Sequence, residues 1–339
     1  MKALFFDGNN KVHMEDVEMP RPSAGEVLVQ VIWSGVCQTE FGPYEEKGSK
    51  VILGHEFSGR VVELGEGATR HRVGDRVVCH PFMPCGRCAP CRTGLTNVCR
   101  NRRGLQHIFY GGFGEFIALP EANFLPLPDD IPDDTGVLVL DVIGMMYHGM
   151  RDMPIGPAST VAVMGLQPYG LGGVIVAKMM GAKVVAFDAS EYRRNQAARL
   201  GADVLVDSSD PNLKPIIDDL TGGDRFEHII ECDDPAIPFE TMFQSIRSGG
   251  ILNLMGHARR TFEFNPNWVT LWEVKVIGTP IHPPSQHEEI LEVVRRTKWA
   301  TDIIITHRPR MEEAKPALDA YMAGNAGKVA FDMTATRGL

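Results

Sequence analysis

The chain has 339 residues, a formal net charge of −9, and 44% hydrophobic and 23% charged residues. This composition is that of an ordinary globular protein, and the length predicts about two domains. The acidic balance without a long basic run argues against a nucleic-acid partner. No apolar run reaches the ~18 residues of a membrane span, and the polar N-terminus is not a signal peptide. We therefore expect a cytoplasmic protein with no membrane partner.

The first half of the chain is predicted to be rich in strands. Short apolar runs bounded by Gly, Pro or Asp, as in hairpins, occur at residues 26–35, 59–67, 74–81 and 111–120. The frequent Pro and Gly between these runs favour a small barrel or sandwich.

The pattern changes near residue 155, where short apolar runs begin to alternate with helix-like segments. The centres of six runs fall near residues 161, 184, 204, 229, 251 and 276. Strand, helix, strand at intervals of roughly 20–25 residues is typical of a doubly wound parallel sheet, whose buried strands are continuous apolar runs. The sequence therefore predicts an α/β fold with a β-rich part followed by a parallel sheet.

The part after residue 284 contains an amphipathic segment at 285–300 and then a last helix and strand. We interpret this part as a return to the first domain. The predicted domains are a β-rich domain of residues 1–150 and 285–339, and a second domain of residues 151–284.

Four of the seven cysteines form the pattern C-x2-C-x2-C-x7-C, made by Cys85, Cys88, Cys91 and Cys99. Four thiolates on one tight loop can surround a tetrahedral Zn²⁺ with no open position, which is a structural site. An iron–sulfur cluster is the alternative, but the ferredoxin pattern closes with x3-C-P, whereas here the gap is seven and Arg100 follows. A reduced loop without metal is the third interpretation, although four thiols would contribute little packing. We favour structural zinc.

A second group of donors precedes this loop. Cys37 and His55 are sulfur and nitrogen donors of the type that zinc accepts, and Glu56 adds an oxygen. A lone buried cysteine is more often a small hydrophobic residue, and a lone histidine is more often simply hydrogen-bonded. The residues alone therefore leave a metal site and a structural role open.

A glycine turn opens the parallel-sheet region. Gly165 and Gly170 lie between its first strand and the following helix, and Asp188 ends the second strand. This arrangement binds a pyrophosphate at a helix N-terminus and the adenosine ribose at the acid, which favours NAD over NADP. Gln167 stands where the second glycine of the fingerprint would be.

These motifs together resemble the zinc-containing medium-chain alcohol dehydrogenase family, in the branch of polyol and threonine dehydrogenases. The resemblance covers essentially the whole chain. It includes GHEFSGRVVELGEGA at 54–68, the four-cysteine loop, the glycine turn with Asp188, and GKVAFDM at 327–333. It implies a GroES-like catalytic domain interrupted by a Rossmann NAD-binding domain, with the active site in the cleft between them. It also implies one catalytic and one structural zinc, a homodimer or homotetramer, and an alcohol or ketone substrate.

The resemblance assigns metal ligands to single residues. It implies that Cys37 and His55 bind the catalytic zinc and that Asp141 holds the zinc or its water. Glu56 would be a ligand in some states or a close neighbour. The spacing from Asp141 to His148 looks most like that of threonine dehydrogenases. Because Glu56 directly follows His55 and neighbouring side chains diverge, we expect Asp141 to be the nearer acid.

Other residues take their roles from the same resemblance. Thr39 would hydrogen-bond the substrate hydroxyl, and Glu40 would orient the histidine ligand. Gln167 and Tyr169 belong to the cofactor turn, and Arg193 matches a basic residue at the adenosine ribose.

Backbone groups of residues 254–257 and 278–280 would contact the nicotinamide. The chain departs from the family pattern at two points. Gly42 replaces a histidine that in many relatives passes the proton to solvent, and the interval from Cys37 to His55 is short for the family.

Two alternative functions use the same fold without catalytic zinc. One is a zinc-free double-bond reductase, and the other is a non-catalytic binding protein. Both predict loss of the ligand set, whereas Cys37, His55, Glu56 and Asp141 are all present. The sequence therefore favours a zinc-dependent oxidoreductase that transfers a hydride between a secondary alcohol, polyol or amino alcohol and NAD.

Overall fold

The computed structural model describes residues 1–256 and 265–334. Its strands are β1 (Lys2–Gly8), β2 (Lys11–Asp16), β3 (Glu26–Gly35), β4 (Glu56–Leu64), β5 (Arg76–Cys79), β6 (Phe82–Met83), β7 (Arg103–Gly104), β8 (Phe116–Pro120), β9 (Phe124–Pro126), β10 (Thr160–Met164), β11 (Lys183–Asp188), β12 (Val204–Asp207), β13 (Phe226–Glu231), β14 (Ile246–Leu254), β15 (Lys275–Gly278), β16 (Ile305–His307) and β17 (Lys328–Asp332). Its α-helices are α1 (Phe41–Glu45), α2 (Ala89–Arg92), α3 (Met146–Met150), α4 (Pro168–Met179), α5 (Glu191–Arg199), α6 (Leu213–Thr221), α7 (Phe239–Gln244), α8 (Asn267–Trp272), α9 (His287–Thr297), α10 (Thr301–Ile304) and α11 (Ala314–Met322). None of the helices in these two ranges is long and apolar enough to cross a bilayer.

The chain divides into two units, of which the first comprises Met1–Leu140 and His282–Leu339. In its described residues a mostly antiparallel sheet has the order β16-β17-β3-β4-β5-β9, and β8 also pairs with β3. Strand β17 pairs with β3 through Ala330 opposite Gly35. The last strand therefore lies beside the strand that leads into Cys37.

The second unit, Asp141–Ile281, is built on a parallel sheet. Among the described residues its strand order is β12-β11-β10-β13-β14-β15, and every pairing is parallel. The order runs outward in both directions from β10, so the doubly wound fold predicted from the six apolar runs is confirmed. In such sheets ligands bind beyond the carboxyl ends of the strands, where the order reverses. Here that point lies between β10 and β13.

The division into units differs from the predicted domain boundaries at residues 150 and 284. The segment from Asp141 to Met150 packs with the parallel-sheet unit: the Asn253 side-chain amide donates to the Gly149 carbonyl at 2.9 Å. The predicted boundaries stay a prediction.

Candidate functional site

The four-cysteine loop brings its sulfur atoms together. The Sγ atoms of Cys85, Cys88, Cys91 and Cys99 all lie within 4.8 Å of one another. The separation is 3.4 Å between Cys88 and Cys91 and 3.7 Å between Cys88 and Cys99. Helix α2 begins directly after Cys88, and β6 pairs with β7 across the two ends of the loop. None of the seven cysteines is in a disulfide, so this cluster is not a pair of disulfides.

The electrostatics of the loop favour a bound cation. Backbone N–H groups of Arg87 and Cys88 lower the pKa of the Cys85 thiol to about 6. Loss of hydration, together with the neighbouring thiols, raises the pKa of Cys91 to about 12. Four thiolates this close repel one another unless a positive charge offsets them, and zinc accepts four such ligands. The donor set therefore fits a closed, structural zinc site.

We expect Cys91→Ser to lose about one zinc per chain and to lower the unfolding temperature, because structural zinc contributes folding energy directly. Metal analysis and thermal unfolding measure both effects. Cys79→Ala is the control, since Cys79 is a buried thiol of β5 outside both donor clusters and should keep the metal. Iron–sulfur charge-transfer bands in anaerobically purified protein would contradict the zinc assignment.

A second donor cluster contains Cys37, His55, Glu56 and Asp141. One ligand atom from each lies within 4.8 Å of the others, and all but His55 are buried. Cys37 follows β3, while His55 and Glu56 stand at the start of β4. A thiol, an imidazole and carboxylates are donors that zinc accepts, and three of the four with a water would make an open zinc site. In the described residues these four and the four-cysteine loop are the groups that could hold a metal.

The buried carboxylate of Glu40 braces two members of this cluster. Its Oε2 accepts the backbone N–H of Cys37 at 2.6 Å, and its Oε1 lies 3.1 Å from Nδ1 of His55. With Nδ1 used in this way, Nε2 is the nitrogen that can act as a ligand. A carboxylate in this position fixes the tautomer and the ring orientation of a metal-binding histidine.

Sequence reasoning missed a buried cation beside the cluster. Lys328 Nζ forms an ion pair with Glu56 Oε2, and each side chain is only 1% exposed. The only signal in the sequence was a lysine at the start of the apolar run GKVAFDM, since a lysine that becomes buried needs a charged or polar partner. Lys328 offsets the charge of one of the two acids in the cluster.

Asp141 lies in a π-helix, Val139–Met145, rather than in an ordinary helix. Its side chain is 8% exposed. Turns of π-helix are rare and occur frequently at functional sites. His148 lies further along on α3 and is not one of the four clustered residues.

Thr39 is the exposed residue of a short 3-10 helix, Gln38–Glu40, whose other two residues are buried. It therefore lies two residues after Cys37 in the sequence and is accessible to solvent. Gly42 is half-buried at the start of α1.

The glycine turn has the close approaches of a phosphate-binding turn. Gly165 has a φ of +101°, and a methyl group there would lie 2.4 Å from the Cys232 carbonyl oxygen. A methyl group at Gly170 would lie 1.9 Å from the Gly165 carbonyl oxygen. Gln167 stands at the N-cap position of α4 without a capping hydrogen bond, and its buried Oε1 has no hydrogen-bond partner among the described residues. Tyr169 donates its hydroxyl to Cys232 at 3.1 Å, which fastens α4 to the loop after β13.

Oppositely charged side chains lie close together at the carboxyl end of β11. Asp188 accepts the N–H of Leu166 at 2.7 Å and that of Ser190 at 2.8 Å. Arg193 lies 4.0 Å from Asp188. Asp234, which sequence reasoning missed, is buried nearby; burial raises its pKa to about 6, and the charge of Asp188 adds to the shift. The double acid in ECDDP, after the carboxyl end of a parallel strand, was the available signal.

The two predicted nicotinamide segments are only partly described. His257 lies outside the described residues, whereas Thr279 donates its hydroxyl to the side-chain oxygen of Asn253 at 2.9 Å.

Comparison with known proteins agrees with this class of fold and site. The profile of the alcohol dehydrogenase GroES-like domain matches residues 23–129, and that of zinc-binding dehydrogenases matches residues 168–296. L-threonine 3-dehydrogenase of Rhizobium etli strain CIAT 652 is 33% identical, covering 94% of each chain. Sorbitol dehydrogenase of Halalkalibacterium halodurans is 29% identical, covering 97% of this chain and 98% of its own. A crystal structure described as a zinc-binding dehydrogenase of Sinorhizobium meliloti 1021 bound to NADP is 26% identical, with a TM-score of 0.83 and 98% of each chain covered.

Fold, donor clusters and relatives together define a dehydrogenase with a GroES-like unit and a Rossmann unit. The chain belongs to the zinc-binding alcohol dehydrogenase family, as its resemblance to that family predicted. Its relatives are dehydrogenases of polyols and amino alcohols, so the zinc-free reductase and the non-catalytic protein are not favoured.

Proposed function

We propose that the protein is an NAD-dependent zinc dehydrogenase that oxidises a secondary alcohol, polyol or amino alcohol. The observation that carries the proposal is the cluster of Cys37, His55, Glu56 and Asp141, with one ligand atom from each within 4.8 Å of the others. Zinc bound there would supply Lewis acidity that lowers the pKa of an alcohol, and a bound nicotinamide would accept the hydride.

The charges of this cluster are consistent with a divalent ion. The thiolate of Cys37 and the carboxylates of Glu56 and Asp141 are anionic when ionised, and Lys328 offsets one of them. The charge that remains matches that of Zn²⁺. Since a buried anionic cluster without such a cation would be strongly destabilised, the donor set itself supports metal binding.

The remaining roles belong to side chains that hold or move protons. Glu40 is proposed to keep the proton of His55 on Nδ1, and its contact with that nitrogen at 3.1 Å supports this role. Thr39 is proposed to accept a hydrogen bond from the substrate hydroxyl and to pass its proton on. Because Thr39 is exposed, water can take this proton directly, and the histidine that Gly42 replaces is not needed.

The acids at the end of β11 support NAD as the cofactor. A 2′-phosphate near Asp188 would be repelled by that carboxylate and by Asp234, while the charge of Arg193 is already offset by Asp188. NADP is the alternative cofactor to be tested, because one of the similar crystal structures is described as bound to NADP.

We expect Asp188→Asn to narrow the preference for NAD over NADP by about tenfold or more, because it removes one negative charge and keeps an oxygen acceptor. The ratio of kcat/KM for the two cofactors is the measurement. Asp203→Asn is the matched control: Asp203 also accepts a backbone N–H, from Val184 at 2.7 Å, but it lies before β12, at the opposite ends of the strands. Equal use of both cofactors by the wild type would refute the proposal.

The substrate is tested by measuring NADH formation with a panel of alcohols, polyols and 3-hydroxy amino acids. L-threonine and sorbitol are tested first, because two of the relatives are named L-threonine 3-dehydrogenase and sorbitol dehydrogenase. Reduction of NAD by at least one compound, lost on removal of zinc, is the expected result. Failure of the whole panel with both NAD and NADP would overturn the proposed function.

We also propose that the protein forms a homodimer or a homotetramer. Strand β15 is an edge strand in the described part of the parallel sheet, and its four residues are exposed. Val276 is 39% and Ile277 37% exposed, and Leu271 nearby in the chain is 76% exposed. Natural proteins rarely leave an apolar edge uncovered. Sedimentation velocity at micromolar concentration tests this, and a monomer would contradict it.

A cytoplasmic location is proposed from the thiol chemistry. The four-cysteine site needs reduced cysteines, which the cytosol maintains. Cell fractionation that places the protein in an oxidising compartment would contradict this.

A further inference from the structure

Helix α4 approaches the π-helix of Asp141 without an intervening side chain. A methyl group on Gly172 would lie 1.8 Å from the carbonyl oxygen of Val142 and 2.7 Å from its carbonyl carbon. Gly172 is buried in the middle of α4, and Val142 directly follows Asp141 in Val139–Met145. Both residues belong to the parallel-sheet unit. The backbone of the acid-bearing segment therefore rests directly on the helix that begins at the glycine turn.

Such a contact cannot absorb an added atom by rotating a side chain. The nearest atoms to the missing methyl group are backbone atoms, and packed interiors transmit a displacement instead of yielding locally. Relief of the overlap requires the carbonyl of Val142 to move by roughly 1 Å. Asp141, one residue away, would move with it.

We propose that Gly172 is a positioning residue for Asp141: its missing side chain lets the cofactor-binding helix hold the Asp141 segment in the register that the metal centre needs. The inference rests on the proposed function. The inference goes beyond that function because it links the N-terminal end of α4 to Asp141 of the metal cluster. Both lie in the same unit, and a single backbone contact joins them.

The first test compares Gly172→Ala with Gly173→Ala. Both changes lie in the same helix and both should raise helix propensity by about 1 kcal/mol. A methyl group at Gly173, however, would meet only ordinary contacts, with Met146 Sδ at 3.4 Å and Val163 Cγ1 at 3.5 Å. The two variants therefore differ in the contact with Val142.

We expect Gly172→Ala to bind zinc at the Asp141 centre about 10–100-fold more weakly than the wild type, measured by competition with a chelator. Co²⁺ substituted at that centre should show a shifted d–d spectrum. The four-cysteine zinc should stay bound, which identifies a local effect, and Gly173→Ala should behave as the wild type. Wild-type zinc affinity and Co²⁺ spectrum in Gly172→Ala would overturn the inference.

If Gly172→Ala does not fold, amide hydrogen exchange of the wild-type chain decides the question. NAD binding should slow exchange across Val139–Met145, because α4 and this segment form one packed contact. NAD that binds without slowing exchange there would overturn the inference and leave the proposed function intact. Absence of NAD binding would instead contradict the proposed cofactor.

Discussion

Asp141→Asn is expected to lower turnover by on the order of 100-fold or more and to reduce zinc content from about two to about one per chain. Asparagine has nearly the same size, so the π-helix should persist. It lacks the charge of the carboxylate and is a weaker zinc ligand. A catalytic zinc site usually has three protein ligands and water, and Cys37 with His55 supplies only two. NAD binding, which depends on the glycine turn, should be unchanged.

Three measurements on the same preparation check this expectation: metal analysis, the rate of NADH formation and the NAD dissociation constant. Asp152→Asn is the matched control, because Asp152 lies eleven residues downstream with a side chain that is 87% exposed. That variant should keep both zinc ions and full turnover. If Asp141→Asn also kept both, Asp141 would have no part in the metal centre.

Lys328→Met is expected to destabilise the folded chain by about 3–5 kcal/mol, because it leaves the buried carboxylate of Glu56 without its cation. The side chains of Lys328 and Glu56 are each 1% exposed, so water cannot solvate the Glu56 carboxylate once the lysine charge is removed. The free energy of unfolding from urea denaturation is measured on protein that keeps the four-cysteine zinc but has been stripped of zinc at the cluster of Cys37, His55, Glu56 and Asp141, so that no metal offsets the Glu56 charge. Combining Lys328→Met with Glu56→Gln should recover much of the loss, since the buried charge is then removed as well.

Lys183→Met is the matched control, because it removes a lysine charge from the start of a strand at an exposed position. Lys183 is also the first residue of a strand, β11, but its side chain is exposed. Removal of an exposed charge of this kind usually changes stability by no more than about 0.5 kcal/mol. An equal effect of the two lysine substitutions would mean that Glu56 does not depend on Lys328.

The parallel sheet could be predicted because each of its strands has a recognisable local sequence pattern. Each predicted centre falls in a strand of the structure, from Val161 in β10 to Val276 in β15. Fully buried strands must be apolar along their length, and the turns between them need Gly or a helix cap. The four-cysteine site could also be predicted, since cysteines with two residues between them on one loop are typical of zinc ligands.

The contacts that hold the candidate site could not be predicted, because they join distant segments. Lys328 is 272 residues from Glu56 in the sequence, and neither GKVAFDM nor GHEF states that the two side chains meet. The π-helix of Asp141 has no local composition that distinguishes it from an ordinary helix. The contact between Gly172 and Val142 depends on how two helices cross, which periodicity alone does not determine.

Alcohol oxidation by this protein is proposed to depend on zinc held by Cys37, His55 and Asp141. The most direct measurement is a titration of zinc back into chelator-treated wild-type protein, with NADH formation and zinc per chain followed together. Activity should disappear when about one zinc per chain is removed while the four-cysteine zinc remains, and it should return in proportion as that zinc is restored. Full activity in protein whose only zinc is at the four-cysteine loop would contradict a catalytic role for zinc at Cys37, His55 and Asp141.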